Sequence, residues 1–287
     1  MKQKVMSIFT RTPMHVGAGS SVGAVDQPII RERHTGFPII PGSSLKGVLA
    51  ALWTDEANRN DKKQRIENSD LEVLFGSDGD DKKAKAGKLL VGEGKIFAFP
   101  VRSAKNAFAW CTCPLVLARA KRDIGLDVPA SALAVTEADH CLAPASMTIK
   151  DKVILEEYCL QNTGNIDEVL TKTLQGIADD AAWQEELLNH LVVLSDEMFS
   201  YFVENACEIA QHVRIDAGSG TAVSGGLFNQ VNVPAETMFY SILHQTQDGL
   251  SEKVSAKLAE QDDVLQIGAD AGAGLGWSSV KLLDKLA

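Results

Sequence analysis

The order of strand-like and helix-like patterns is what most restricts the fold of this 287-residue chain. A β-rich run at residues 4–10 precedes an amphipathic helical pattern at 45–54, and strong strand patterns recur at 237–244 and 277–283. Alternating β-branched and aromatic residues favour strands, whereas a 3.6-residue apolar period favours helices. The full order is strand, helix, strands, helices, hairpin, strand, helix, strand. It predicts an α+β fold with an antiparallel sheet of the βαββαβ, ferredoxin-like type.

The middle of the chain contains further patterns of both kinds. Strands are predicted at 89–99, 107–116, 152–155 and 264–267, and helices at 117–124, 187–194, 196–210 and 250–260. The runs 212–215 and 230–233 flank a Gly-, Ser- and Thr-rich stretch, which indicates a β-hairpin with a long mobile tip. We therefore expect one domain over 1–287 that carries three additions. They are a flexible polar insertion at 55–88, an acidic helical insertion at 123–210 and a protruding hairpin at 215–233.

Charge is distributed unevenly along the chain. The net charge of -10 taken alone argues against a nucleic-acid partner. Residues 1–50, however, carry six basic and two acidic side chains, whereas residues 123–210 carry seventeen acidic and three basic ones. This asymmetry is compatible with a basic working face and a separate acidic lobe. The simpler alternative is that the acidic stretch is the solvated surface of exposed helices.

Composition also bears on the compartment of the protein. The N-terminus lacks the apolar core of a signal peptide, and no run approaches the ~18 apolar residues of a membrane helix. The five cysteines are irregularly spaced, and the pairs typical of zinc sites are missing. We expect a reduced, cytoplasmic chain with buried thiols and no membrane partner.

The first candidate site is a glycine-rich loop near the N-terminus. His15 precedes Gly17, Gly19 and Gly23, and Asp26 follows. Glycines let backbone N–H groups approach a phosphate, a histidine can contact phosphate or donate a proton, and an aspartate can bind a divalent metal or orient an attacking group. The alternative is a flexible loop whose aspartate caps a turn. A dinucleotide site is disfavoured because no helix follows Gly19 closely, as the pyrophosphate would require.

Two further sets of residues could bind an anionic partner. Arg31 and Arg33 can pair with phosphates through two N–H groups each, and Lys46 lies in the first turn of the predicted helix. A second glycine-rich loop, GADAGAGLG at residues 268–276, precedes the last strand and contains Gly272, Gly274 and Gly276. Solvated surface charges and an ordinary strand connection are the alternatives.

Taken together, these pieces resemble one known family. The informative blocks are PMHVGAG at 13–19, VDQPI at 25–29, RERHTGFP at 31–38 and GSSLKG at 42–47. They closely resemble the backbone subunit of the Cmr complex, the type III-B CRISPR effector, which belongs to the RAMP superfamily. Shorter similar stretches at 99–103, 113–117, 152–157, 220–227, 239–241 and 265–268 extend the resemblance over nearly the whole chain.

The resemblance implies both a fold and a function. The fold is a modified RNA-recognition-motif palm with a hairpin thumb at about 215–233. Copies of the subunit stack into a helical filament on guide CRISPR RNA, beside other Cmr subunits, and target single-stranded RNA is cleaved at regular intervals. The family's cleavage aspartate falls on Asp26 and its nearby histidine on His15, while Lys46 and the last glycine loop lie on the guide-binding face. The family's last loop often begins Ile-Gly-Gly, whereas this chain has Ile267-Gly268-Ala269.

These observations lead to a specific hypothesis. The chain is a metal-dependent endoribonuclease that acts within the assembled complex. Asp26 holds a magnesium or manganese ion or positions the target 2′-hydroxyl, and His15 assists. One alternative is a purely structural RNA-binding subunit with cleavage elsewhere in the complex. Another is a nucleotide-dependent oxidoreductase, which would bind NAD(P) saturably.

Overall fold

The computed structural model describes residues 2–19, 25–78, 84–175 and 181–284. The strands are β1 (Lys2–Thr10), β2 (Ile39–Ile40), β3 (Leu89–Val91), β4 (Gly94–Arg102), β5 (Phe108–Thr112), β6 (His140–Leu142), β7 (Lys152–Leu155), β8 (Tyr158–Asn162), β9 (Leu191–Leu194), β10 (Glu208–Ile215), β11 (Ala222–Asn232), β12 (Met238–Gln245), β13 (Val264–Gln266) and β14 (Trp277–Leu283). The α-helices are α1 (Gly42–Ala50), α2 (Asp70–Phe75), α3 (Pro114–Ile124), α4 (Glu168–Gln175), α5 (Ala181–His190), α6 (Asp196–Asn205) and α7 (Leu250–Ala259).

Among the described residues, twelve strands form one mixed sheet, and β10 and β11 form a separate hairpin. The main order in the sheet is β13-β14-β1-β12-β4-β5-β9-β6-β8-β7, while β2 pairs with β4 and β3 with β12. The pairs β5/β9 and β6/β8 are parallel, and the other strand pairs are antiparallel. The fold is therefore α+β with a largely antiparallel sheet, as the sequence predicted.

The first strand owes its central place to its apolar side chains. β1 lies between β12 and β14, where Ile8 is opposite both Phe239 and Val280. All three side chains are at most 1% exposed. Burying a large apolar side chain contributes about 1.5–3 kcal/mol relative to leaving it in water. The two chain ends are thus joined in one core, next to the loop that follows β1.

Several predicted boundaries were wrong for physical reasons. The strand predicted at 89–99 is two strands, β3 and β4, which pair with different residues of β12. The strand predicted at 107–116 ends at Thr112, because Pro114 begins α3, where a missing N–H costs nothing. The helix predicted at 187–194 ends at His190. The next four residues, LVVL, form the fully buried strand β9, since an uninterrupted apolar run also suits a strand that is covered on both faces.

The two predicted insertions contain more structure than their composition indicated. Within 55–88, the described residues include α2, whose Ser69 cap accepts a hydrogen bond from the Glu72 N–H. Leu71 and Phe75 of this region are at most 1% exposed, so it is part of the core rather than a flexible excursion; residues 79–83 lie outside the described residues. The acidic stretch 123–210 was predicted to be helical, but it also supplies four strands, β6 to β9, to the sheet.

The predicted hairpin is present, with longer strands than expected. β10 and β11 pair from Glu208 opposite Asn232 to Ile215 opposite Ala222, so the tip spans only 216–221. The Asp216 carboxylate closes this tip by accepting hydrogen bonds from the N–H groups of Gly218 and Ser219. The prediction of a long mobile tip over 216–229 was therefore wrong. Glycine and serine lowered the strand signal of residues that pair regularly.

Two further expectations from the sequence were that the thiols are buried and that the chain has no membrane-spanning helix. Cys111, Cys113 and Cys141 are buried and free, and burial raises the pKa of each thiol above its ordinary value. Cys159 is exposed and Cys207 is half-buried. Across the described ranges, no helix is long and apolar enough to cross a membrane.

Candidate nucleic-acid interface

The loop after β1, the base of the hairpin and the last glycine loop meet at one place. Met14 and Val233 exchange two backbone hydrogen bonds, with N···O distances of 2.8 and 2.9 Å. The Ala269 N–H donates to the His15 carbonyl at 2.8 Å. In addition, the Gln230 side-chain amide donates to the Asp270 carboxylate at 2.8 Å. Segments far apart in sequence thus form a single junction, which we call the hairpin-base junction (residues 13–19, 25–31, 229–233 and 268–276).

His15 lies inside this junction and not on its surface. The residue is only 5% exposed. Its Nδ1 lies 2.8 Å from the Val231 carbonyl oxygen, and because a carbonyl can only accept, Nδ1 carries the proton and donates. A Cβ on Gly17 would lie 3.0 Å from the other ring nitrogen, Nε2, so the glycine leaves room for the ring. The His15 ring therefore supports the glycine loop from inside the junction, whereas the sequence suggested a direct contact with phosphate as one possible role.

Asp26, unlike His15, lies on the surface of the junction. It is exposed, and it is linked to Asn229 by two reciprocal hydrogen bonds. The Asp26 N–H donates to Asn229 Oδ1 at 2.8 Å, and the Asn229 N–H donates to Asp26 Oδ2 at 2.9 Å. The second carboxylate oxygen, Oδ1, has no donor among the described residues. This carboxylate is thus held in place with one oxygen available to a ligand.

The first glycine loop presents free backbone on one side. Gly17 and Gly19 are exposed, while the neighbouring Ala18 N–H donates to the Pro28 carbonyl at 2.9 Å. Gly17 pairs with Ile29 in an isolated bridge, so the described part of this loop returns as extended chain and starts no helix there. This geometry lacks the helix N-terminus that a dinucleotide pyrophosphate needs. Gly23 lies outside the described residues.

The glycines of the last loop have different roles. Gly272 and Gly274 are open, since a Cβ at either position would have no heavy atom within 4 Å. Gly276 is buried instead, and its N–H donates to the Pro13 carbonyl at 2.8 Å. A Cβ there would lie 2.0 Å from the Ile267 oxygen, at a φ of +79°. Its prediction as an RNA-contacting residue was therefore wrong, because Gly276 forms the turn that seats the loop.

The two arginines of the RERHTGFP block also differ. The Arg31 Nη1 donates to the carbonyls of Gly36 and Val203, both at 2.8 Å, and Nη2 contacts the Cys207 sulfur at 3.2 Å. Arg31 therefore ties the block to the end of α6, which corrects its prediction as a phosphate ligand. Arg33 is exposed, and its side chain has no hydrogen-bond partner in the described part of the chain.

Lys46 lies on α1, whose N-terminus is suited to an anion. The helix begins after Pro41 without a side-chain cap and has no acidic residue in its first turn. Uncapped N–H groups and the helix dipole make such an end electropositive. The Lys46 side chain is half-buried and unpaired among the residues that the structure describes. Lys46 and the start of α1 thus form a second basic feature, and the role of Lys46 in RNA binding stays a prediction.

A buried ion pair that could not be predicted from the sequence supports the RERHTGFP block. Arg119 of α3 contacts both carboxylate oxygens of Glu32 at 3.0 and 2.9 Å, and the two side chains are 15% and 8% exposed. Arg119 Nη2 also lies 3.0 Å from His34 Nε2. An arginine on an amphipathic helix ordinarily indicates a solvated charge. Only the contact of Arg119 with Glu32, 87 positions away, shows that it supports this block.

The chain also matches a known sequence family. The sequence family described as the RAMP superfamily matches residues 8–280. The chain belongs to the RAMP superfamily.

Within that superfamily the chain is similar to the CRISPR system Cmr endoribonuclease Cmr4 of Pyrococcus furiosus. The two are 35% identical over 294 residues, covering 98% of this chain and 96% of the relative. A crystal structure of oligomeric Cmr4 from the same organism matches with a TM-score of 0.71 at 29% identity, covering 99% of this chain and 98% of that one. A chain in a type III-B Cmr-beta structure bound to cognate target RNA matches with a TM-score of 0.77 at 18% identity, covering 100% and 99%. That last likeness is one of fold.

Proposed function

We propose that this chain is the repeated, guide-RNA-binding backbone subunit of an RNA-guided antiviral complex, and that Asp26 serves the cleavage of target RNA within it. The single observation that carries the cleavage role is the Asp26 carboxylate itself. It is exposed and fixed at the base of the hairpin, and its Oδ1 accepts no hydrogen bond from the residues that the structure describes. The similarity to a relative named as an endoribonuclease supports this assignment.

The surroundings of Asp26 suit an RNA backbone. Gly17, Gly19, Gly272 and Gly274 present backbone without side chains in the way, and backbone N–H groups at such positions can approach phosphates closely. Arg33 and Lys46 add positive charge that no protein carboxylate in the described residues neutralises. Because base pairing with a guide RNA supplies the sequence specificity, the protein needs only to hold the backbone and place the reacting bond.

The hairpin has the properties of an element that contacts RNA or a second copy of the chain. Ile209, Val213 and Leu227 are 67%, 50% and 69% exposed. We infer that it acts as the thumb of the resembled family and interrupts the guide–target duplex beside Asp26. The oligomeric state of the similar Pyrococcus furiosus structure supports assembly of several copies.

We further propose a divalent metal ion, magnesium or manganese, at Asp26. No cluster of three or more His, Cys, Asp or Glu side chains that could hold a metal occurs in the described residues. A lone carboxylate nevertheless suits Mg²⁺, which binds through one or two carboxylates together with substrate phosphates and retained waters. A bound ion would offset the charge that develops on the scissile phosphate. Asp26 would hold it through Oδ1, or would use that oxygen to orient the target 2′-hydroxyl.

Replacing Asp26 by Asn tests the cleavage role. The amide keeps an oxygen that can accept the Asn229 N–H, but it removes the charge that binds a metal or a hydroxyl proton. We expect the assembled complex with Asp26→Asn to lose target cleavage while guide and target binding remain nearly unchanged. Asp26→Ala should behave in the same way.

Two outcomes would contradict the proposal. Unchanged cleavage in both variants would show that the subunit is an RNA-binding scaffold and that another component cuts. A loss of RNA binding in Asp26→Asn would show that Asp26 serves structure and not chemistry.

A further inference from the structure

Asn229 is the residue that joins Asp26 to the hairpin. Its side-chain oxygen accepts the Asp26 N–H at 2.8 Å, and its own N–H donates to Asp26 Oδ2 at 2.9 Å. Each residue therefore contributes one side-chain and one backbone group to a closed pair. The two residues are 203 positions apart, so the pair is a tertiary contact and not a local turn.

The contact continues into the next residues as a short parallel pairing. The Gln27 N–H donates to the Asn229 carbonyl at 3.1 Å, and the Val231 N–H donates to the Gln27 carbonyl at 3.0 Å. The segment that carries Asp26 thus adds to the edge of β11 through four hydrogen bonds. Both backbone groups of Asn229 serve this segment.

The hairpin and the carboxylate should consequently move together. Asn229 lies opposite Gln211 within the regular pairing of β10 and β11, so its position follows that of the hairpin. The Asp26 side chain cannot rotate away without losing the Asn229 N–H. A hairpin seated against RNA would therefore set the place of the free Oδ1.

We propose that Asn229 is a positioning residue for RNA cleavage at Asp26. It holds the carboxylate in register with the hairpin, so that the RNA contacted by the hairpin meets Oδ1 in a productive geometry. This inference rests on the proposed function of Asp26. It explains how one carboxylate can suffice, because small displacements of a reacting group lower rates severely, by up to about 100-fold for ~1 Å.

The test uses the complete complex with Asn229→Ala, and Gln211→Ala serves as a matched control. The alanine at 229 removes the acceptor for the Asp26 N–H and leaves the backbone donor in place. Gln211 lies opposite on the same hairpin rung, is exposed and makes no side-chain hydrogen bond in the described residues. Both the single-turnover cleavage rate and the dissociation constant for target RNA are measured for each variant.

We expect Asn229→Ala to slow single-turnover cleavage about 10- to 100-fold while the dissociation constant changes less than about twofold. Gln211→Ala should match the wild type in both quantities. A wild-type cleavage rate in Asn229→Ala, or equal slowing in both variants, would overturn the positioning role. So would a rate loss that is accompanied by a parallel loss of binding, since that result indicates a merely structural contribution.

Asp26→Asn measured in the same series separates the two ideas. If Asp26→Asn abolishes cleavage and Asn229→Ala does not change it, only the positioning role fails. If Asp26→Asn cleaves normally, both the proposed function and the positioning role fail.

Discussion

Gly268 offers a quantitative test of how the last glycine loop is seated on the hairpin-base junction. Its φ is +93°, and a Cβ at this position would lie 2.3 Å from the His15 carbonyl oxygen. The same oxygen accepts the Ala269 N–H at 2.8 Å. Gly268→Ala therefore adds a strained backbone conformation, which costs about 1–2 kcal/mol, and pushes apart a hydrogen bond that contributes about 0.5–1.5 kcal/mol. These two costs sum to about 1.5–3.5 kcal/mol, and a stiffer unfolded chain offsets about 0.4–1 kcal/mol of them, so we expect a net destabilisation of about 1–3 kcal/mol.

Gly274 is the matched control for that substitution. It also has a positive φ, +83°, but a Cβ there would have no heavy atom within 4 Å. Gly274→Ala keeps the backbone strain and lacks the clash, and a stiffer unfolded chain offsets about 0.4–1 kcal/mol of the cost. We expect a loss of about 1 kcal/mol.

Thermal or urea unfolding of the isolated chain measures both variants. At about 2–4 °C per kcal/mol for a chain of this size, Tm should fall by about 2–4 °C for Gly274→Ala. It should fall by about 1–6 °C more for Gly268→Ala, because that variant also loses a hydrogen bond worth about 0.5–1.5 kcal/mol. Equal losses in the two variants would refute the claim that close packing of the loop on His15 makes Gly268 necessary.

Two further predictions concern charge. Arg33→Ala and Lys46→Ala should each reduce the slope of log affinity for single-stranded RNA against log salt concentration by about 0.7. Arg31→Ala should leave this slope unchanged and lower the Tm, because the Arg31 guanidinium binds protein carbonyls. A slope change for Arg31→Ala equal to that for Arg33→Ala would contradict this difference. Burial raises the pKa of Glu236 above its ordinary 4.5, and Oε2 of this side chain is buried with no hydrogen-bond partner among the described residues. The ionised carboxylate should therefore destabilise the fold increasingly as pH rises from the ordinary pKa through the raised one. Glu236→Gln should increase the Tm at pH 7 and have little effect below about pH 4. An equal change in Tm at both pH values would show that ionisation of Glu236 is not the cause.

The strands near the two chain ends could be predicted from sequence because they are rich in β-branched and aromatic residues. β14 was predicted with its observed bounds, and β12 with bounds shifted by one residue. The buried strand β9 could not be recognised in the same way. Four consecutive apolar residues satisfy both a helical and a strand pattern, and only its neighbours β5 and β6 decide between them.

The candidate site shows a similar division. The glycine loop, Asp26, Arg33 and Lys46 were predicted from residue type, spacing and family resemblance, and the structure places Asp26 and Arg33 on the surface. Arg31 could not be told from Arg33, because its acceptor Val203 is 172 residues away. Asn229 was missed for the same reason, since an asparagine in a glycine-rich hairpin ordinarily indicates a turn.

The burial of His15 also changes the view of the site. A histidine beside a glycine loop suggests acid–base chemistry, but here the Nδ1–H is used by the Val231 carbonyl. In the proposed mechanism, the groups that take part in cleavage are therefore the Asp26 carboxylate and groups of the RNA itself.

The proposed function depends above all on RNA binding by the assembled chain. The most direct measurement is to purify the protein under native conditions from cells that express its complex, extract the bound nucleic acid, and determine its length and sensitivity to ribonuclease. We expect a small RNA of uniform length, in amounts that correspond to several copies of this chain for each RNA. An absence of RNA, or RNA of random length bound in proportion to its abundance, would contradict it.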